Sequence, residues 1–152
     1  MSGASHIPSA DLRDVFHEHG LRHTRQRERV FAALRGTTAH PTAEELFNWV
    51  RPTEPGLSLA TVYNALEAFT EAGLCRRIPS DGGNGPCRYD ADVSDHVHVT
   101  TRDGRVIDVP PELGEQIVRV LTPEAVALLE RLAGGPVSRL SIELRGLDPG
   151  SR

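Results

Sequence analysis

In the first half of the chain, apolar residues recur at the three- and four-residue spacing of a helix buried on one side, and the pattern restarts four times. Residues 1–9 carry no such pattern and read as a disordered tail. Leu12, Val15 and Phe16 predict a first helix over Ala10–His19, which Gly20 stops. Thr24 is placed to cap a second helix that buries Val30, Phe31 and Leu34 and ends at Gly36. Thr42 followed by Glu45 makes a capping box for a third helix with Leu46, Phe47 and Val50 inside. A Pro/Gly loop, Pro52–Gly56, leads to Ser58 as cap of a fourth helix, Leu59–Ala72, stopped by Gly73. Leu59, Val62, Leu66 and Phe69 share its apolar face, which leaves Thr61, Tyr63, Asn64 and Glu67 on others.

The period then changes. Leu74–Pro79 and Pro86–Asp90 are short strand-like runs around the turn-rich Ser-Asp-Gly-Gly-Asn-Gly. Helices closed by a two-stranded wing predict a winged-helix DNA-binding domain over residues 10–90, with the fourth helix as the recognition helix. Scaffolds of the same outline that bind no DNA also exist. Beyond it, Val97–Thr101 and Arg105–Val109 predict a second hairpin, Glu112–Leu121 a helix, and Thr122-Pro-Glu the cap of another. Val137–Leu147, alternating through Leu140, Ile142 and Leu144, reads as a last strand. The expected class is α+β: a winged helix followed by a small α/β domain over residues 91–152. So short a second domain lacks a secure core of its own, and dimerisation would supply the missing burial.

Composition alters this picture in one place. The net charge is −4, and all seventeen basic residues are arginine. Arg22, Arg25, Arg27 and Arg29 crowd into eight residues against Glu28 alone, a basic patch on a mildly acidic chain. No apolar run approaches a membrane span, and no apolar signal core follows Met1, so a cytoplasmic protein is expected. Cys75 and Cys87 then read as reduced, small hydrophobes.

His96 and His98 carry the candidate chemistry. On a strand, residues two apart share a face, so both imidazoles can reach one ion. Asp90 and Asp108 frame the pair, and mixed imidazole and carboxylate suits Zn, Mn, Fe or Ni. H-x-H alone is equally compatible with surface histidines.

Leu21-Arg-His-Thr-Arg-Gln-Arg27, His40-Pro-Thr-Ala-Glu-Glu-Leu46, Ala60-Thr-Val-Tyr-Asn64 and Glu71-Ala-Gly-Leu74 resemble the ferric uptake regulator family. So do Arg88-Tyr-Asp90, His96-Val-His98 and Gly104-Arg-Val-Ile-Asp108, over about residues 10 to 110. The resemblance implies a metal-responsive, homodimeric winged-helix transcription regulator, usually a repressor, acting on an AT-rich palindromic operator. It implies one divalent metal per subunit, Fe, Mn or Zn, held by His40, Asp90, His96, His98 and Asp108 at the hinge between domains. Asn64 after Tyr63, and Asp108 where iron-uptake regulators have Glu, lean towards the peroxide-sensing branch.

The family's structural-zinc cysteines are missing. Thr101-Arg-Asp precedes Gly104 where the family has C-x-x-C, and no cysteine follows Cys87, so no structural zinc is expected. A further metal site of some members is not expected either: Val97 separates the two histidines and no His follows His98, although Glu115 matches one of its ligands. For DNA, Thr61 and Tyr63 are suited to thymine methyls and Asn64 to adenine. Arg22, Arg25 and Arg27, with Arg76 and Arg77 on the wing, are candidate phosphate contacts. A haem-responsive or metal-independent regulator stays open as an alternative. A small metal-dependent enzyme is more distant, because H-x-H oxygenases need a further downstream histidine and more strands.

Overall fold

The computed structural model describes residues 9–80, 85–94, 96–101 and 103–136. It is an α+β chain with six helices and two antiparallel hairpins among those residues, divided into two compact units, Met1–Ser94 and Asp95–Arg152. The expected strand over 137–147 and residues 1–8 of the tail expected over 1–9 lie outside the described residues, and Ser9, its last residue, instead opens the first helix.

The first unit holds α1 (Ser9–Glu18), α2 (Arg25–Arg35), α3 (Ala43–Val50) and α4 (Leu59–Glu71), then β1 (Arg76–Ile78) and β2 (Arg88–Asp90). Its helices begin where the capping chemistry puts them. The Thr24 and Ser58 side chains accept from Arg27 N–H and Thr61 N–H, and Thr42 and Glu45 form the reciprocal box. The apolar stripes meet in one core. Phe16, Phe31 and Phe69 pack ring to ring with centroids 4.9–5.6 Å apart, and Val30, Leu34, Leu46, Val62 and Leu66 close around them.

The wing strands are shorter than the apolar run suggests. Gly73 turns the chain back at φ +72, a conformation that a Cβ would strain. Leu74 and Cys75 are thereby drawn into the helical core, and pairing starts only at Arg76, opposite Asp90. In the second unit, β3 (His98–Thr100) pairs with β4 (Val106–Asp108), and α5 (Pro111–Arg119) and α6 (Pro123–Ala133) follow. Val97, Val106 and Val109 are its buried aliphatic side chains among the described residues. No helix among the described residues is long and apolar enough to cross a membrane.

Candidate metal centre and nucleic-acid face

Two groups of candidate ligands are built, one in each unit. In the second unit β3 starts only at His98, one residue later than the expected Val97, yet a backbone bond from Val109 carries the pairing on to Val97 and the two histidines meet as the H-x-H spacing promises. Val97 turns inward, with its side chain against Gly114 of α5 and its carbonyl accepting from Val109 N–H at 2.9 Å. His96 and His98 emerge on the opposite side with their rings 4.3 Å apart, edge to face. Asp108 stands directly across the hairpin from His98. The Nε2 atoms of both histidines lie 3.2 Å from the same oxygen, Asp108 Oδ1. All three atoms are buried.

In the first unit, His40 precedes α3 and Asp90 ends β2, and both are buried. His40 Nε2 lies 3.4 Å from Asp90 Oδ2. The other carboxylate oxygen, Oδ1, accepts the Asp92 N–H at 2.8 Å, an Asx turn that fixes which oxygen faces the histidine.

These spacings bear on the fit of a metal. A charge-assisted N–H···O bond is about 2.7–2.9 Å long, shorter than 3.2 or 3.4 Å. Around an ion with bonds of about 2.0–2.2 Å, neighbouring ligand atoms stand about 3.0–3.4 Å apart. Imidazole nitrogens and carboxylate oxygens at that separation suit a first-row divalent cation.

The nucleic-acid candidates all lie in the first unit. On α4, Tyr63 is 45% exposed and Asn64 is exposed, while the Thr61 hydroxyl is 2.8 Å from Ser58 Oγ in the helix cap. Of Thr61 this leaves the methyl group for apolar contact. Arg22 is exposed, and its carbonyl accepts from Arg27 Nη1 at 3.0 Å. Arg25 Nε donates to Glu54 at 2.6 Å, and Arg29 Nε lies 3.7 Å from the same oxygen. Glu28, the acid within the patch, is taken by His23 at 2.6 Å. On the wing, Arg76 donates to the Val93 carbonyl and Arg77 Nε to Cys87 Sγ at 3.0 Å. The Cys87 contact, with Tyr89 nearby, holds the Arg77 guanidinium above its usual range.

Sequence reasoning passed over Glu54 and Arg88. Glu54 sits in the loop before α4 and takes two arginines of the basic patch, while Arg88 donates to the His40 carbonyl at 3.0 Å. Glu54 left no signal, being an ordinary acid in a Pro/Gly loop; Arg88 had one in its place within Arg-Tyr-Asp, two residues before a candidate ligand.

Four helices closed by a wing, followed by a hairpin that carries a His/Asp group, define a winged-helix protein with a candidate metal centre. The sequence profile of the Ferric uptake regulator family matches residues 18–127, and the chain belongs to that family. It is 31% identical to the peroxide-responsive repressor PerR of Staphylococcus saprophyticus over 119 residues, 70% of this chain and 79% of that protein. Among solved structures, a zinc-bound manganese uptake regulator is 30% identical, with TM-score 0.59 over 89% of this chain and 96% of the other. The Vibrio cholerae ferric uptake regulator, 24% identical, shares the fold with TM-score 0.68, covering 90% and 98% of the two chains.

Proposed function

We propose that the chain is a metal-dependent, DNA-binding transcriptional regulator, a repressor of peroxide-stress or metal-homeostasis genes, and a regulator rather than an enzyme. It works as a cytoplasmic homodimer on double-stranded, AT-rich palindromic operators. The observation that carries the reading is the convergence of His96 Nε2 and His98 Nε2 on Asp108 Oδ1 at 3.2 Å, with His40 and Asp90 spaced alike in the first unit. Two ligands are too few to hold an ion firmly. We assign both groups to one divalent cation, Fe, Mn or Zn, and no structural zinc.

The ion, when bound, supplies a positive charge that five donors satisfy together. His40 and Asp90 belong to one unit and His96, His98 and Asp108 to the other, so joint ligation selects one arrangement of the units from those the chain samples. A coupling of about 2.7 kcal/mol would change operator affinity roughly a hundredfold. The α4 helix enters the major groove, where Tyr63 and the Thr61 methyl meet thymine methyls and Asn64 reads adenine. Arg22, Arg25, Arg27, Arg76 and Arg77 contact phosphates and set the register.

The test is binding to an AT-rich operator-like duplex with and without Mn(II), for wild type and His96→Ala. The expected result is tight binding for metal-loaded wild type alone. Equal affinity in all four cases would falsify metal control. The peroxide branch is favoured by the peroxide-responsive relative and by Asn64 and Asp108. It predicts that iron-loaded protein exposed to peroxide gains oxygen at His40 or His96 by mass spectrometry; unmodified histidines with DNA binding retained would move the protein to metal homeostasis.

A further inference from the structure

Among the candidate ligands, His40 has the most unusual backbone. It is the one non-glycine residue with positive φ among the described residues, at φ 48. The left-handed region crowds the Cβ of an L-residue, so surrounding contacts must hold it there. Those contacts come from β2. Arg88 Nη1 donates to the His40 carbonyl at 3.0 Å and reaches Glu45 Oε2 at 3.2 Å. That same Glu45 oxygen accepts the Thr42 N–H at 2.8 Å, which closes the capping box of α3. Tyr89 N–H donates to the Pro41 carbonyl at 3.0 Å, and Thr42 pairs with Arg88 in an isolated antiparallel bridge. The 40–42 segment is thus laced to the wing strand that ends in Asp90, the partner of His40 in the ligand pair.

We infer that Arg88 is a positioning residue for this pair, and that through it metal occupancy at His40 is felt by the wing within the first unit. The inference rests on the metal-centre reading above. The Arg88 side chain is mostly buried, and its guanidinium grips the carbonyl of the residue whose backbone is strained. Without that grip, His40 relaxes toward an ordinary backbone conformation and its imidazole turns from Asp90. Arg88 is also paired with Ile78 across the wing, next to Arg77, a candidate phosphate contact. Occupancy that fixes His40 therefore tightens the strand pair presenting Arg77. Such coupling is a second route from metal to DNA, needing no change of arrangement between the units.

The experiment uses the full chain with Co(II), whose ligand-field absorption reports the donor set, and with diamagnetic Zn(II) for amide chemical shifts. Wild type, Arg88→Met, Arg88→Lys, Glu45→Gln and His40→Ala are compared, with folding checked by circular dichroism. Loss of a residue that orients a ligand lowers metal affinity by roughly 10- to 100-fold. Arg88→Met should show that loss, with a Co(II) spectrum shifted toward that of His40→Ala, and Arg88→Lys should recover part of it. At saturating Zn(II) the Arg76 amide, paired with the ligand Asp90, should move in both proteins, whereas the Arg77 and Ile78 amides should move in wild type and stay in Arg88→Met. Should Arg88→Met fail to fold, Arg88→Lys and Glu45→Gln carry the test by intermediate losses in the same direction. Folded Arg88 variants with wild-type affinity, spectrum and wing response overturn the inference while the metal centre stands. A wild type that binds no Co(II), or whose spectrum ignores His40→Ala, overturns the metal centre and the inference together.

Discussion

The two units dispose of their apolar residues differently. In the first, side chains from α1, α2, α3 and α4 meet over the Phe16, Phe31 and Phe69 rings, and Leu74, Cys75 and Tyr89 of the wing segment close the same core. In the second, Val97, Val106 and Val109 are buried under the hairpin and α5, while Leu113, Val118, Val120, Val126, Leu128, Leu129 and Leu132 stand exposed. Helices of both units are amphipathic, and α2, α3, α4 and α6 each start at a capping Ser or Thr side chain, whereas α5 starts at Pro110 without one. Among the described residues, the difference is the number of apolar surfaces each helix finds within its own unit. A reading unit that presents fixed side chains to DNA needs a closed core. On the function proposed above, the second unit pairs with a second copy and keeps its apolar residues for that contact.

Core truncation should separate the units most. Phe69→Ala removes a fully buried ring from the aromatic trio and should cost about 3–5 kcal/mol, near half the stability of a marginal domain. Val106→Ala, in the sparser core, should cost about 2 kcal/mol. Urea unfolding followed by circular dichroism measures both, and the fluorescence of Trp49, the single tryptophan, on α3, reports the first unit alone. Equal costs would mean that the second unit is as closed as the first. A smaller effect on folding but a large one on assembly is expected from Leu132→Glu on α6, where the native side chain is 76% exposed. Self-association in sedimentation should weaken at least about tenfold, as for a central interface residue, with the Trp49 unfolding midpoint unmoved. An intact dimer would take the partner surface away from this face of α6.

The same contrast separates what the chain reveals as a string from what it does not. Helices are legible because their causes are local: Thr24, Thr42, Ser58 and Thr122 accept from N–H groups three residues on, and the apolar period repeats within a few turns. The placing of His96 and His98 on one side is legible for the same reason, since it needs only strand alternation and the turn that sets Asp108 opposite His98. Contacts across long loops are not. The Arg-Tyr-Asp motif marks Arg88 but not the carbonyl it grips 48 residues back, nor does the 52–56 loop announce that Glu54 will take Arg25 and approach Arg29. The wing was legible as a hairpin but not in its extent, because the helical core competes for Leu74 and Cys75 and wins. Amphipathic period also leaves open whether α6 meets its own unit or another copy.

The smallest expected effects lie at opposite ends of the pH scale, one for each unit. In the first, burial pushes the Cys75 thiol up, and the Asp90 charge adds to this against a hydrogen bond with Thr70. The fold therefore favours the neutral thiol. Its contribution is complete below the unfolded value of about 8.5 and is lost as pH rises through the higher folded value. In the second, the backbone N–H of Glu124, then the Thr122 hydroxyl, hold its carboxyl below the usual range in the first turn of α6. That contribution is present above the unfolded value of about 4.3 and is lost as pH falls through the lower folded one. In thermal melts, the gap between wild type and Cys75→Ala should narrow as pH passes about 8.5. The gap between wild type and Glu124→Gln should instead be full near neutrality and close in acid. Gaps that ignore pH would mean that neither group titrates differently in the folded chain, and a Glu124 gap that closed in alkali would reverse the sign assigned to the α6 N-terminus.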